Sequence, residues 1–142
     1  MVLNKEEIME IIPHRQPFLF VDEINELEVG KWGKGKKYVE EQEYYFKGHF
    51  PGNPVMPGVL QVEALAQVGA VVVLSLPEFK GKTALFGGMK KAKFRKTVKP
   101  GDALDLSVEI IKLKSRVGCG LAKAYVGDDL ACSCEITFII TD

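Results

Sequence analysis

The sequence predicts an α+β domain in which an antiparallel sheet packs against one long helix. Two patterns and their order carry that prediction. The run from Val59 to about Leu76 is strongly apolar, free of proline and long enough for a helix buried on most of its sides. Later segments alternate with the period of a strand: Leu104, Leu106, Val108 and Ile110 are interleaved with Asp105, Ser107 and Glu109, and Cys132, Cys134, Ile136, Phe138 and Ile140 alternate in the same way. The order along the chain is one short helix, two strands, the apolar helix and four strands, the pattern of helices packed on an antiparallel sheet.

Each element has a local reason. Asn4, followed three residues later by Glu7, is a capping-box start, and Ile8, Ile11 and Ile12 give the first helix its apolar stripe before Pro13 ends it. Residues 18–28 (FLFVDEINELE) and the more polar 32–40 read as the first two strands. A stiff loop follows, with three prolines and three glycines between Gly48 and Gly58. The helix from Val59 is long enough to raise a membrane span. Gln61, Glu63 and Gln67 interrupt its first half and no second span accompanies it, so it reads as a central helix of a water-soluble fold. Residues 83–98 read as a long strand, Pro100-Gly101-Asp102 as a turn, 115–126 as a weaker strand and Gly127-Asp128-Asp129 as the turn into the last one.

The 142 residues have the size of one domain, taken here as 1–142, and a 46% hydrophobic content suffices for a core. Nineteen Lys and Arg balance nineteen Asp and Glu, which argues against nucleic acid as a partner. The acidic N-terminal stretch has neither the charge nor the length of a secretory signal, so an intracellular, cytoplasmic protein is expected. Three cysteines make a poor disulfide framework; Cys132 and Cys134, two apart on a strand, are expected to pack inward together. With Cys119 distant and only His14 and His49 as histidines, no metal site is expected. GCGLAK at 118–123 fails the dinucleotide fingerprint because Lys123 occupies the place of the third glycine, and no phosphate loop or nucleophile elbow occurs, so no cofactor is expected.

The candidate chemistry lies in GHFPGNPVMPGVLQVEALAQ, residues 48–67. A histidine in a loop is most often structural. His49, however, is held near Pro51 and Pro54, and a rigid mount suits a base that must meet its proton at a fixed place. Glu63 stands among Val59, Leu60, Val62, Ala64, Leu65 and Ala66; surroundings of that kind favour the neutral form of a carboxyl, which can then donate a proton. Gln67, at i+4, is placed to orient it. Gly58 begins the helix, where free N–H groups and the dipole favour negative charge and a glycine lets a ligand approach the backbone. A basic run, KKAKFRKTVK at 90–99, holds six Lys or Arg and no acid; Lys91, Lys93 and Arg95 share a strand face there, and with Lys96 they suit an acidic protein or a phosphate group.

Three stretches, PHRQPFLFVDEI at 13–24, GHFPGNPVMPGVLQVEALAQ at 48–67 and KFRKTVKPGD at 93–102, resemble the FabZ-type 3-hydroxyacyl-[acyl-carrier-protein] dehydratases in order and spacing, over nearly the whole chain. Gln16 departs from the aromatic residue that many members carry. The resemblance implies a hot-dog fold, a curved antiparallel sheet wrapped around a central helix. It implies a homodimer with sites at the subunit interface, commonly a trimer of dimers, and an acyl-carrier-protein substrate. It implies His49 as catalytic base, Glu63 of the opposite subunit as catalytic acid and the Gly58 N–H as donor to the thioester carbonyl. The related dehydratase-isomerases usually carry aspartate at the Glu63 position, so Glu63 favours the simple dehydratase. The same fold also hosts thioesterases, and an acyl-binding module without turnover is a third reading; the presence of both His49 and Glu63 favours the dehydratase.

Overall fold

In the computed structural model, which describes residues 3–142, α1 (Lys5–Ile11) is followed by β1 (Glu23–Glu28) and β2 (Trp32–Tyr38). The long helix α2 (Gly58–Leu74) comes next, then β3 (Thr83–Phe94), β4 (Ala103–Lys114), β5 (Val117–Val126) and β6 (Asp129–Thr141). Short 3₁₀ turns at Tyr44–Lys47 and Pro77–Phe79 lead into and out of the α2 region. The Asn4 side chain accepts from the Glu7 N–H, and the Glu7 carboxylate accepts from the Asn4 N–H, closing a capping box on α1. The six strands form one sheet in the order β1-β2-β4-β5-β6-β3, every pair antiparallel. β1 and β3 are its edges.

The helix contacts all six strands, and most of its residues are buried. Such a helix cannot be amphipathic in the ordinary sense, which is why its sequence is apolar nearly all round. No helix of the described residues is long and apolar enough to cross a membrane. Its close approach to the sheet dictates glycines. A Cβ at Gly69 would lie 2.3 Å from Cζ of Phe138, and one at Gly33 would lie 2.7 Å from a Val72 methyl. β2 therefore presents Gly33, Gly35 and Lys37 inward, and its sequence looks polar although that face is buried. Lys37 is neutralised there by Glu43 at 2.7 Å and lies over the Phe20 ring. On β6, Cys132, Cys134, Ile136, Phe138 and Ile140 all face the core.

Two strand boundaries differ from the sequence-based expectation. Residues 18–22 precede β1 and form no strand; Leu19, Phe20 and Val21 are buried consecutively, and the Phe20 N–H donates to the side chain of Gln67 on α2. β3 stops at Phe94. The Arg95 N–H still reaches the Ala131 carbonyl, but Val98 then accepts from Met56 N–H, so this segment becomes a wall of the loop before α2. A bulge between Lys90 and Lys93, with Lys91 at φ 54°, also interrupts the simple alternation expected of the basic run.

Candidate active site

The loop before α2 fixes His49 twice to one residue. The Val55 N–H donates to the His49 carbonyl at 2.9 Å, and the imidazole Nδ1 lies 2.7 Å from the Val55 carbonyl. A carbonyl can only accept, so this bond keeps the proton on Nδ1 and leaves the Nε2 lone pair free as a base. A tight turn in which Phe50 and Asn53 exchange backbone hydrogen bonds, with Gly52 at φ +74°, carries the chain back for that contact. The Phe50 ring stacks on the imidazole with centroids 4.0 Å apart.

His49 opens on a pocket of about 460 Å³ whose walls include Met56, Gly58, Gln61 and the segment from Phe94 to Thr97. Pro57 occupies the N-cap of α2 and no side chain caps the helix, so its first amides are available to a ligand. The Phe94 ring lies against Gly58; a Cβ there would meet it at 2.7 Å. A side chain at this helix start would therefore have to displace the Phe94 ring. The pocket joins a base with one free lone pair to a helix N-terminus that favours developing negative charge.

Glu63 is elsewhere. It is absent from the walls of the His49 pocket and lies beside residues 14–20. Its Oε2 accepts from Gln67 Nε2 at 2.9 Å and stands 3.5 Å from His14 Nε2. The apolar surroundings expected of this carboxyl are therefore only half present: the helix around it is apolar, but the carboxyl meets an amide and an imidazole. Gln67, fully buried, also donates to the Phe18 carbonyl at 2.9 Å and accepts from the Phe20 N–H at 2.8 Å. Arg15 braces the turn that presents His14, donating to the carbonyls of Met9, Ile12 and His14.

Of the basic residues, Lys91, Lys93 and Arg95 line a second, outer pocket with Lys123, while Arg95 and Lys96 border the His49 pocket. Lys91 pairs with Glu135 and Lys96 with Asp129. Sequence reasoning passed over Gln61 and His14. One looked like an interruption of a greasy helix and the other like a stray histidine, and only the tertiary packing brings them beside Gly58 and Glu63.

One antiparallel sheet wrapped on a buried helix, with its polar site at the helix start, defines a hot-dog domain. Residues 12–135 match the family model of the FabA-like domain. The 3-hydroxyacyl-[acyl-carrier-protein] dehydratase FabZ of Clostridium novyi (strain NT) is 58% identical over 140 residues, 99% of each chain. The dehydratase of the same name from Moorella thermoacetica is 59% identical over 133 residues, 94% of this chain and 93% of the other. Among solved structures, the dehydratase heterocomplex ApeI:P from Xenorhabdus doucetiae superposes with a TM-score of 0.81 at 12% identity, over 95% of this chain and 91% of that one, a likeness of fold. The chain belongs to the FabA-like family and, within it, to the FabZ 3-hydroxyacyl-[acyl-carrier-protein] dehydratases.

Proposed function

We propose that His49 and Gly58 of one chain, with Glu63 of a second, carry out the dehydration for which the family is named. The enzyme is a hydro-lyase of type II fatty acid biosynthesis, converting a (3R)-3-hydroxyacyl thioester on acyl carrier protein into the trans-2-enoyl thioester and water. His49 Nε2 removes a proton from C2. The electron pair is drawn toward the thioester carbonyl, whose oxygen takes a hydrogen bond from the Gly58 N–H. Contacts of that type are worth about 3–4 kcal/mol in other enzymes. As the C2–C3 double bond forms, the bond from C3 to the hydroxyl breaks and the hydroxyl leaves as water with a proton from Glu63. The enzyme resets when the proton on His49 returns to Glu63 through solvent.

The observation that carries this reading is the locked imidazole: a base with its proton held on Nδ1, facing a pocket that ends at an uncapped helix N-terminus. Assembly follows from two further features. Glu63 is outside that pocket, which supports an acid supplied by a second copy. The edge strand β3 is twelve residues long and exposes Leu85, Phe86, Met89 and Phe94, a surface suited to pairing with another copy. In this reading the chain is one domain in a dimer, further assembled as a trimer of dimers. The basic residues Lys91, Lys93, Arg95 and Lys96 receive the acidic carrier protein, and turnover weakens as salt screens that encounter. The three cysteines are free, which fits work in the reducing cytoplasm.

The test uses hydration of a crotonyl thioester, the reverse reaction, followed by loss of enoyl absorbance. His49→Ala and Glu63→Gln should each lower kcat by about 10²–10⁴, the range for a lost acid or base. Near-normal rates in both variants would sink the assignment.

A further inference from the structure

Gln61 is the one polar side chain of α2 that is both buried and part of the His49 pocket wall. It is 2% exposed and its Oε1 is enclosed with no hydrogen-bond partner. The contrast with Gln67 on the same helix is instructive. Gln67 is equally buried and uses its whole amide, accepting once and donating twice. A buried amide oxygen left unpaired is a standing cost to the fold, because its desolvation is not compensated. A hydrophobic residue at position 61 would avoid that cost, so the polar group is accounted for by something that binds in the pocket.

We infer that the Gln61 amide hydrogen-bonds the 3-hydroxyl of the bound acyl thioester and gives the pocket its preference for hydroxylated over unsubstituted chains. The inference rests on the dehydratase reading above and goes beyond it. Gly58 and Gln61 are three residues apart, on the same side of the helix and separated by about 4.5 Å along its axis. With the thioester oxygen at the Gly58 N–H, the next polar group along the substrate is the hydroxyl on C3; the rest of the acyl chain is hydrocarbon. A hydroxyl both donates and accepts, and the broad χ3 torsion of glutamine lets the amide present either of its ends. The bond tethers the leaving group without protonating it, so Gln61 is a binding and specificity residue, while the proton comes from Glu63.

The probes are a 3-hydroxybutyryl-pantetheine amide, in which nitrogen replaces the thioester sulfur so that C2 is not acidified, and its butyryl counterpart lacking the hydroxyl. Calorimetric titration of the wild-type enzyme should give tighter binding of the hydroxylated probe by about three- to tenfold, the value of one neutral hydrogen bond. In Gln61→Met the preference should disappear, and the thermal midpoint should rise because the unpaired amide oxygen is gone. A wild type with no preference, or a Gln61→Met enzyme that keeps it, overturns the inference. So does a variant that is destabilised while the preference persists, which would place the amide in the packing or in a subunit contact. Dehydration of 3-hydroxybutyryl carrier protein by the wild type is measured alongside: its failure would count against the dehydratase reading, whereas normal turnover without hydroxyl preference counts only against Gln61.

Discussion

Replacing Gln67 by methionine keeps the length of the side chain and removes three hydrogen bonds at once. The structure ranks their losses. The Phe20 N–H is the costliest: Phe20 is 1% exposed, and an enclosed donor without a partner costs about 1–3 kcal/mol. The Phe18 carbonyl belongs to a residue 44% exposed, so water replaces the lost donor there at little cost. The bond to the partly exposed Glu63 carboxyl adds something of order 1 kcal/mol. Gln67→Met should therefore lose about 2–4 kcal/mol, a large part of a stability that is typically 5–15 kcal/mol. That corresponds to a thermal midpoint lower by roughly 10 °C. Urea unfolding followed by circular dichroism, at fixed subunit concentration, measures the loss, and crotonyl hydration measures the effect on Glu63. The companion Gln67→Glu keeps an acceptor for Phe20 N–H but loses both donors and sets a second carboxyl beside Glu63. It should be the more stable variant of the two and should still fall well below wild type in kcat. If Gln67→Met were within 0.5 kcal/mol of wild type, the range of an ordinary surface change, the amide would not be the staple described here.

Two other perturbations follow from the same geometry. Gly69→Ala would gain about 1 kcal/mol of helix preference in an open helix, but its methyl must enter the fully packed Phe138 ring; overpacking of about 1–3 kcal/mol wins, and chemical denaturation should show a net loss, not a gain. Asp142 accepts from Lys82 and Arg116, which hold its carboxyl below the usual range. Its contribution is present above the unfolded-state pKa near about 3.9 and is lost as pH falls through the lower folded value. Asp142→Asn should thus lower the thermal midpoint slightly at pH 7, with the difference from wild type closing below about pH 4.

The helix, the last strands and the loop–helix motif are legible because each carries a local signal: period, length, or a concentration of proline and glycine. What escaped reading depends on which element lies opposite. FLFV at 18–21 has the composition of a strand, yet it is spent on α2, whose Gln67 takes the place of a neighbouring strand as hydrogen-bond partner. β2 looks polar because its inner positions are two glycines, forced by Val72 and by the Glu23 carbonyl, and a lysine neutralised by Glu43. For the candidate site, the stiff loop of His49 and the helix start at Gly58, which line one pocket, were legible from their prolines and glycines. The polar setting of Glu63 was not, because His14 lies 49 residues earlier and reaches it only through a turn braced by Arg15. Gln61 and Gln67 are indistinguishable in sequence, and the fold alone decides that one is satisfied and the other is not.

The separation of Glu63 from His49 is a matter of helix geometry and not of side-chain choice. Five residues from Gly58 to Glu63 turn the helix by about 140° beyond one full revolution, so the two positions face different sides of α2. No rotamer of Glu63 carries its carboxyl back around the buried helix to the His49 pocket. Three arrangements are open to the fold: His49 works without Glu63, every working site combines two chains, or α2 moves on binding substrate to join both groups of one chain. Mixing distinguishes these alternatives. His49→Ala and Glu63→Gln protein, each expected to be strongly impaired, are unfolded together and refolded as a mixture. A mixed dimer then contains one site with both defects and one with neither. Shared sites predict that the mixture recovers crotonyl hydration that neither parent shows, in proportion to the mixed species resolved by affinity tags of different length. A mixture as inactive as its parents, with mixed dimers demonstrably formed, would place base and acid in one chain and require α2 to move on binding substrate.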